Sequence, residues 1–228
     1  MKSFLLGLTL LGFVTSASAL DKAQLDYRIR KLTAKFEAMQ LKPDKRIPAE
    51  YLKQAEGIVL LDRTKAGFIF AYQGGSGVAM VKNGKAKEWS AAAFVEANEA
   101  SLGFQVGGQQ AFVVILLMTT NATQALTEST FEFGGEARGT AGNSSAGEEG
   151  KFSSTEHSVL VYIDRSGLYG GAAIKGGALS PDDEANHLYY GKFLTMSKIL
   201  FDKSLKPTET AVELAKKITE HSKEPEKK

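Results

Sequence analysis

Apolar positions fall into three regimes along the chain. Over 20–41, Leu25, Ile29, Leu32, Phe36 and Met39 recur at alternating intervals of four and three. That is the period of one helix face, and Pro43 stops it. A second short helical turn is predicted over 48–54. Between 57 and 177 the pattern changes to short apolar runs separated by glycines, with strands predicted over 58–61, 68–72, 78–81, 92–97, 102–106, 111–118, 131–137, 159–163 and 168–175. The run "AFVVILLM" within it is too short to span a bilayer and reads as a strand buried on both faces. Asn121-Ala122-Thr123 opens a short helix after it, and 140–154 reads as a polar, glycine-rich loop.

Helical periodicity then returns. Ser180-Pro181-Asp182-Asp183 reads as an N-cap followed by proline and acids in the first turn. Leu188, Phe193, Leu194, Ile199 and Leu200 are the apolar positions behind it. Thr208 caps a last helix carrying Val212, Leu214, Ala215 and Ile218, and 219–228 is a charged tail. These regimes predict a single α+β domain over 20–228. It has a mainly antiparallel β core, barrel-like or sandwich, with an N-terminal amphipathic helix and C-terminal helices packed on it.

The glycine cluster Gly74-Gly75-Ser76-Gly77, between two apolar runs, has the look of a phosphate cradle or of a hairpin turn. A Walker loop needs G-x-x-x-x-G-K-[ST], and the Gly-Lys pairs at 84, 150 and 191 are followed by Ala or Phe. A dinucleotide fingerprint needs a glycine where Met80 stands and a helix where the sequence predicts a strand. The hairpin turn remains, and no nucleotide is expected.

Composition narrows the chemistry further. With 28 Lys plus Arg against 26 Asp plus Glu, the chain lacks the basic excess of a nucleic-acid binder. It has no cysteine, so neither disulfides nor a thiol nucleophile enter. Lys2, the apolar stretch 4–14 and Ala17-Ser18-Ala19 form a secretory leader over 1–19, which predicts an exported protein, periplasmic or secreted. Ser76 fails the G-x-S-x-G elbow because Val78 replaces its last glycine. His157, His187 and His221 lie in separate segments with no zinc-binding spacing. The acids at 182–184 suit a helix N-terminus and those at 148–149 a solvated loop. The expectation is a protein that is no enzyme and holds no metal or cofactor.

An ordered set of motifs carries a resemblance. Ala55-Glu56-Gly57-Ile58, Lys65-Ala66-Gly67-Phe68, Gly75-Ser76-Gly77-Val78, Trp89-Ser90, the run 101–107 "SLGFQVG", the run 166–171 "SGLYGG" and the run 186–190 "NHLYY" together resemble the SYLF domain family. The match covers about 47–218. The resemblance implies a lipid-binding module, described as actin-binding in yeast members. An exported chain would not meet cytosolic actin.

Two functional readings follow. In the first the chain binds a lipid or membrane surface. Lys22, Arg28, Arg30, Lys31 and Lys35 would face anionic headgroups, and the stripe from Leu25 to Met39 would either enter the interface or pack on the β core. Over 21–46 there are eight basic and four acidic residues, enough for weak attraction to an anionic surface. Trp89, the only tryptophan, would sit at that interface or beside the core. In the second reading the chain is a structural or protein-interaction module without a lipid ligand, and 140–154 and the tail are contact or spacer segments.

Overall fold

The computed structural model describes residues 20–66, 72–98, 110–133, 158–166 and 177–223. The leader, the strands predicted over 102–106 and 168–175, and the 140–154 loop lie outside the described residues. So does the 68–72 strand except Tyr72.

Helix α1 (Lys22–Gln40) begins at a reciprocal cap. The Gln24 backbone N–H donates to the Asp21 carboxylate at 2.8 Å, and the Asp21 N–H donates to the Gln24 side chain at 3.3 Å. After α2 (Ala49–Gln54) come strands β1 (Gly57–Ala66), β2 (Tyr72–Asn83), β3 (Glu88–Trp89), β4 (Ala93–Asn98) and β5 (Gln110–Leu117). Helix α3 (Thr120–Ala125) precedes β6 (Phe131–Phe133), β7 (Val159–Ser166) and β8 (Gly177–Pro181). Helices α4 (Asp183–Tyr190), α5 (Met196–Phe201) and α6 (Glu209–His221) close the chain.

The described strands form one antiparallel sheet in the order β6-β8-β4-β2-β1-β5-β7, with β3 added to β2. It curls into a half-barrel, so the barrel-like form is the one adopted. Both faces are covered, because side chains alternate across each strand. Ile58, Leu60, Val78, Met80, Phe94, Val114 and Leu116 point to one face, under α1, α2, α4 and α6. Val59, Leu61, Ala79, Val81, Val113, Ile115 and Leu117 point to the other, under α3 and α5. This double burial is why β5 reads as an unbroken apolar run.

The α1 stripe belongs to the first core. Leu25, Ile29, Leu32, Phe36 and Met39 are each 1% exposed or less. At roughly 1.5–3 kcal/mol for each such side chain, α1 is a structural member of the domain. The stripe packs on the sheet and does not face a lipid interface.

Several local expectations are corrected. Gly74, Gly75, Ser76 and Gly77 lie inside β2, where Gly75 pairs with Arg63 and Gly77 with Leu61, and form no turn. A Cβ on Gly77 would come 2.3 Å from the Leu60 carbonyl oxygen, so glycine serves a close approach of β1 and β2. Ser180 and Pro181 end β8, and Asp182 caps α4, its carboxylate accepting the Ala185 N–H at 3.0 Å. The short β3 and β8 had no sequence signal of their own. Leu188, Phe193 and Val212, expected on apolar faces, are exposed. Helix α6 continues to His221, into the stretch read as tail.

Candidate functional site

Helix α1 lies over the sheet with a row of cations along one flank. Lys31 and Lys35 both reach Asp62 of β1, at 3.0 and 2.6 Å. Lys42, just beyond the helix, reaches Asp164 of β7 at 2.5 Å. Arg28 reaches Asp182 at 3.1 Å, with its guanidinium 5.6 Å from the Phe94 ring centre. Asp62 and Asp164 flank Phe112 in register across β1, β5 and β7, so the sheet offers an acidic row to the flank of α1. Burial pushes the Asp62 carboxyl up, but hydrogen bonds and charge from Lys35 and Lys31 outweigh it and hold the group below its ordinary value. Glu96, on the same face of β4, is pushed up, first by burial and then by Asp182 and Asp183.

The five predicted basic residues therefore divide. Arg28 and Lys35 are part-buried and engaged in these pairs. Lys31 pairs with Asp62 but is half exposed. Lys22 is exposed, with its ammonium 5.7 Å from the Tyr189 ring centre. Arg30 is exposed and has no ion pair among the described residues.

Opposite the buried stripe, at about 100° per residue, lie Ala23, Tyr27, Arg30, Lys31, Ala34, Ala38 and Leu41. All are exposed, Tyr27 at 64% and Leu41 at 80%, and no acid falls among them. Sequence reasoning missed this arc. Its signal was present in the seven-residue spacing of Tyr27, Ala34 and Leu41.

The family-like motifs turn out to be joints. Asn186, buried on α4, accepts the Phe94 N–H at 2.8 Å and donates to the Phe94 carbonyl at 3.0 Å. The Tyr189 hydroxyl donates to Asp26 at 2.7 Å and lies 2.7 Å from Thr208 and 3.0 Å from Thr210, joining α1, α4 and α6. The Tyr190 hydroxyl donates to the Ala92 carbonyl at 2.6 Å. Ser90 accepts the Val81 N–H through its hydroxyl at 3.0 Å, while its own N–H donates to the Val81 carbonyl at 2.8 Å. Trp89 is half-buried against the first core, with Lys82 5.1 Å from its ring centre. His187 stacks on Phe193, and His221 meets the Phe36 ring edge-on.

Among the described residues no group of three His, Asp or Glu could hold a metal ion. No helix among them is long and apolar enough to cross a membrane. What the arrangement offers is surface: an exposed helix face with cations, held by an internally neutralised flank.

Comparison with known proteins follows the same line. The family model Ysc84, described as "Las17-binding protein actin regulator", matches residues 98–221, a range that leaves out α1. LAS seventeen-binding protein 3 of Saccharomyces cerevisiae is 32% identical over 182 residues, covering 75% of this chain and 39% of that protein. Protein YSC84 of the same organism is 32% identical over 163 residues, covering 69% and 34%. The human SH3 domain-containing YSC84-like protein 1 is 29% identical over 169 residues, covering 73% and 49%. The chain thus spans half or less of the length of these relatives. No solved structure matches. The matched range takes in more than half of the chain and includes the Asn186, Tyr189 and Tyr190 joints, and the chain belongs to the Ysc84 (SYLF) family of Las17-binding protein actin regulators.

Proposed function

We propose that this chain is a non-enzymatic module of the cell envelope that docks peripherally on an anionic lipid surface through the outward face of α1. The observation behind it is the arc on which Tyr27 and Leu41 stand exposed among alanines, with Arg30 and Lys31 as its only charges. A solvated helix face ordinarily mixes both signs of charge, whereas cations beside apolar and aromatic groups suit a headgroup boundary. A second copy of the chain is a poorer occupant, because like charges would be brought together. The leader read at 1–19 favours an envelope surface over a cytosolic partner.

The attraction is smaller than the sequence count implied, since Asp62, Asp164 and Asp182 already answer part of the basic flank. Lys22 and Arg30 remain without an ion pair among the described residues. At ~1 kcal/mol for each of these two near an anionic surface and ~1.5 kcal/mol, the low end for burial, for each of Tyr27 and Leu41, the total is about 5 kcal/mol. That corresponds to sub-millimolar, readily reversible binding.

Deleting α1 would open the core, so the test uses surface substitutions. The chain and a Tyr27→Ser, Arg30→Glu, Leu41→Ser variant with unchanged circular dichroism are sedimented with phosphatidylcholine vesicles and with vesicles containing phosphatidylserine, over a salt series. Binding to the anionic vesicles that weakens with salt and is lost in the variant supports the reading. Absence of binding at low salt, or undiminished binding by the variant, refutes it. A second reading, a protein-interaction module without a lipid ligand, draws on a yeast relative being named a LAS seventeen-binding protein.

A further inference from the structure

The large exposed apolar side chains of the described residues are distributed unevenly. Tyr27, Leu41, Leu188, Phe193 and Val212 all sit on, or just beyond the ends of, α1, α4 and α6, the helices over one face of the sheet. The other face, under α3 and α5, contributes none. Phe193 stands out among them at 84% exposure. It follows the left-handed Gly191 that ends α4, at φ 67°, and lies flat on the His187 imidazole with ring centres 3.8 Å apart.

Among the described residues the ring joins neither core, and the imidazole beneath it has no polar anchor on Nδ1, which is buried with no hydrogen-bond partner among them. Exposed Lys192 precedes it, and exposed Leu188 lies five residues earlier on α4. Asp183 and Glu184 stand at the opposite end of α4, about 12 Å away along the helix and beyond a Debye length of roughly 8–10 Å. Lys192 is therefore the charged group next to Phe193 in the chain, and the acids of α4 lie a Debye length away.

We infer that Phe193 is a second anchor of the same anionic lipid surface, an aromatic wedge that enters the headgroup boundary while Lys192 stays at the phosphates and α1 lies alongside. The inference rests on the membrane-docking reading above. Phe lacks the polar handle that holds Trp and Tyr at the headgroups and belongs with the apolar anchors that enter the boundary between headgroups and acyl chains. The stacked ring at Phe193 is free to leave His187 without opening either core.

The test uses the whole chain with phosphatidylserine-containing vesicles. Phe193→Ala, with unchanged thermal unfolding, is expected to bind roughly tenfold more weakly while its salt dependence stays that of the wild type. Phe193→Trp is expected to be quenched by bromine-labelled lipid well beyond the Trp89 signal of the wild type. If the wild type binds, and Phe193→Ala binds equally or Phe193→Trp is not quenched, the wedge is wrong and docking through α1 stands. If the wild type binds no vesicle at all, the docking reading fails and takes the wedge with it.

Discussion

The Asn186 joint gives the sharpest test of how the helix layer is fixed to the sheet. Strand β8 ends at Pro181, and beyond it Asn186 takes over as partner to β4, accepting the Phe94 N–H and donating to the Phe94 carbonyl. That carbonyl also receives the Asp182 N–H at 3.0 Å, so Asn186→Ala orphans the buried N–H but leaves the carbonyl a partner. An unsatisfied buried donor costs ~1–3 kcal/mol and a lost neutral bond ~0.5–1.5 kcal/mol. The expected loss is about 2–4 kcal/mol, read by urea unfolding followed through circular dichroism and Trp89 fluorescence. Asn186→Asp separates this account from simple loss of packing. Its carboxylate can still accept the Phe94 N–H, but its second oxygen faces the Phe94 carbonyl, acceptor against acceptor. A protonated carboxyl would donate there instead, so the folded state raises the pKa above the ordinary ~3.9. The penalty relative to wild type is then small near pH 4, grows as pH rises, and saturates above the folded pKa. An Asn186→Ala variant within about 0.5 kcal/mol of wild type, or an Asn186→Asp penalty equal at pH 5 and pH 7.5, refutes the reasoning.

Three further outcomes are expected. Gly77→Ala drives a methyl to 2.3 Å from the Leu60 carbonyl oxygen and forces β1 and β2 apart, with a loss of more than ~2 kcal/mol in the same urea assay. In the wild type, the stability supplied by Asp62 is fully present above its unfolded pKa, near 3.8, and is lost as pH falls through the lower folded value. Asp62→Asn should therefore be less stable by about 1 kcal/mol at pH 7 and show a flatter decline in Tm between pH 5 and pH 2. Tyr189→Phe removes the hydroxyl that joins Asp26, Thr208 and Thr210, while the 2.8 Å Thr210 to Asp26 bond remains. A cost of about 1–2 kcal/mol is expected, checked by calorimetry.

What could be read in the sequence was periodic and local. The four-and-three stripe of α1, the doubly buried β5 and the core positions Leu214 and Ile218 of α6 follow from repeats within one element. Contacts between distant elements left no such trace. The glycines of β2 looked like a turn because their reason is the Leu60 carbonyl on the neighbouring strand. Ser180 and Pro181 looked like a helix start because proline and acids follow that rule. Pairing of Pro181 with Val95 placed them in a strand instead, where a missing N–H is tolerated at the strand end. Leu188 and Phe193 looked like apolar positions of one helical segment, but Gly191 ends α4 between them in a left-handed conformation. At the site, residue types were legible and pairings were not. Arg28 and Asp182 are 154 positions apart, and Lys42 and Asp164 are 122 apart.

The motifs that place the chain in its family have structural roles where the structure describes them. Ser90 continues a strand edge, Asn186 clamps a helix to β4, and Tyr189 and Tyr190 pin helices to one another and to the sheet. None of these residues lies on the exposed arc of α1, and the family match begins at residue 98, beyond that helix. The frame and the surface are thus physically separable. A relative could keep every joint and carry acids where Tyr27 and Arg30 stand. It would fold in the same way and be repelled by the anionic surface proposed for this chain. The reverse also holds, since Tyr27→Ser and Arg30→Glu touch no core side chain and no ion pair among the described residues and should leave unfolding unchanged. Loss of vesicle binding at constant stability is therefore the signature that separates a docking surface from a structural helix.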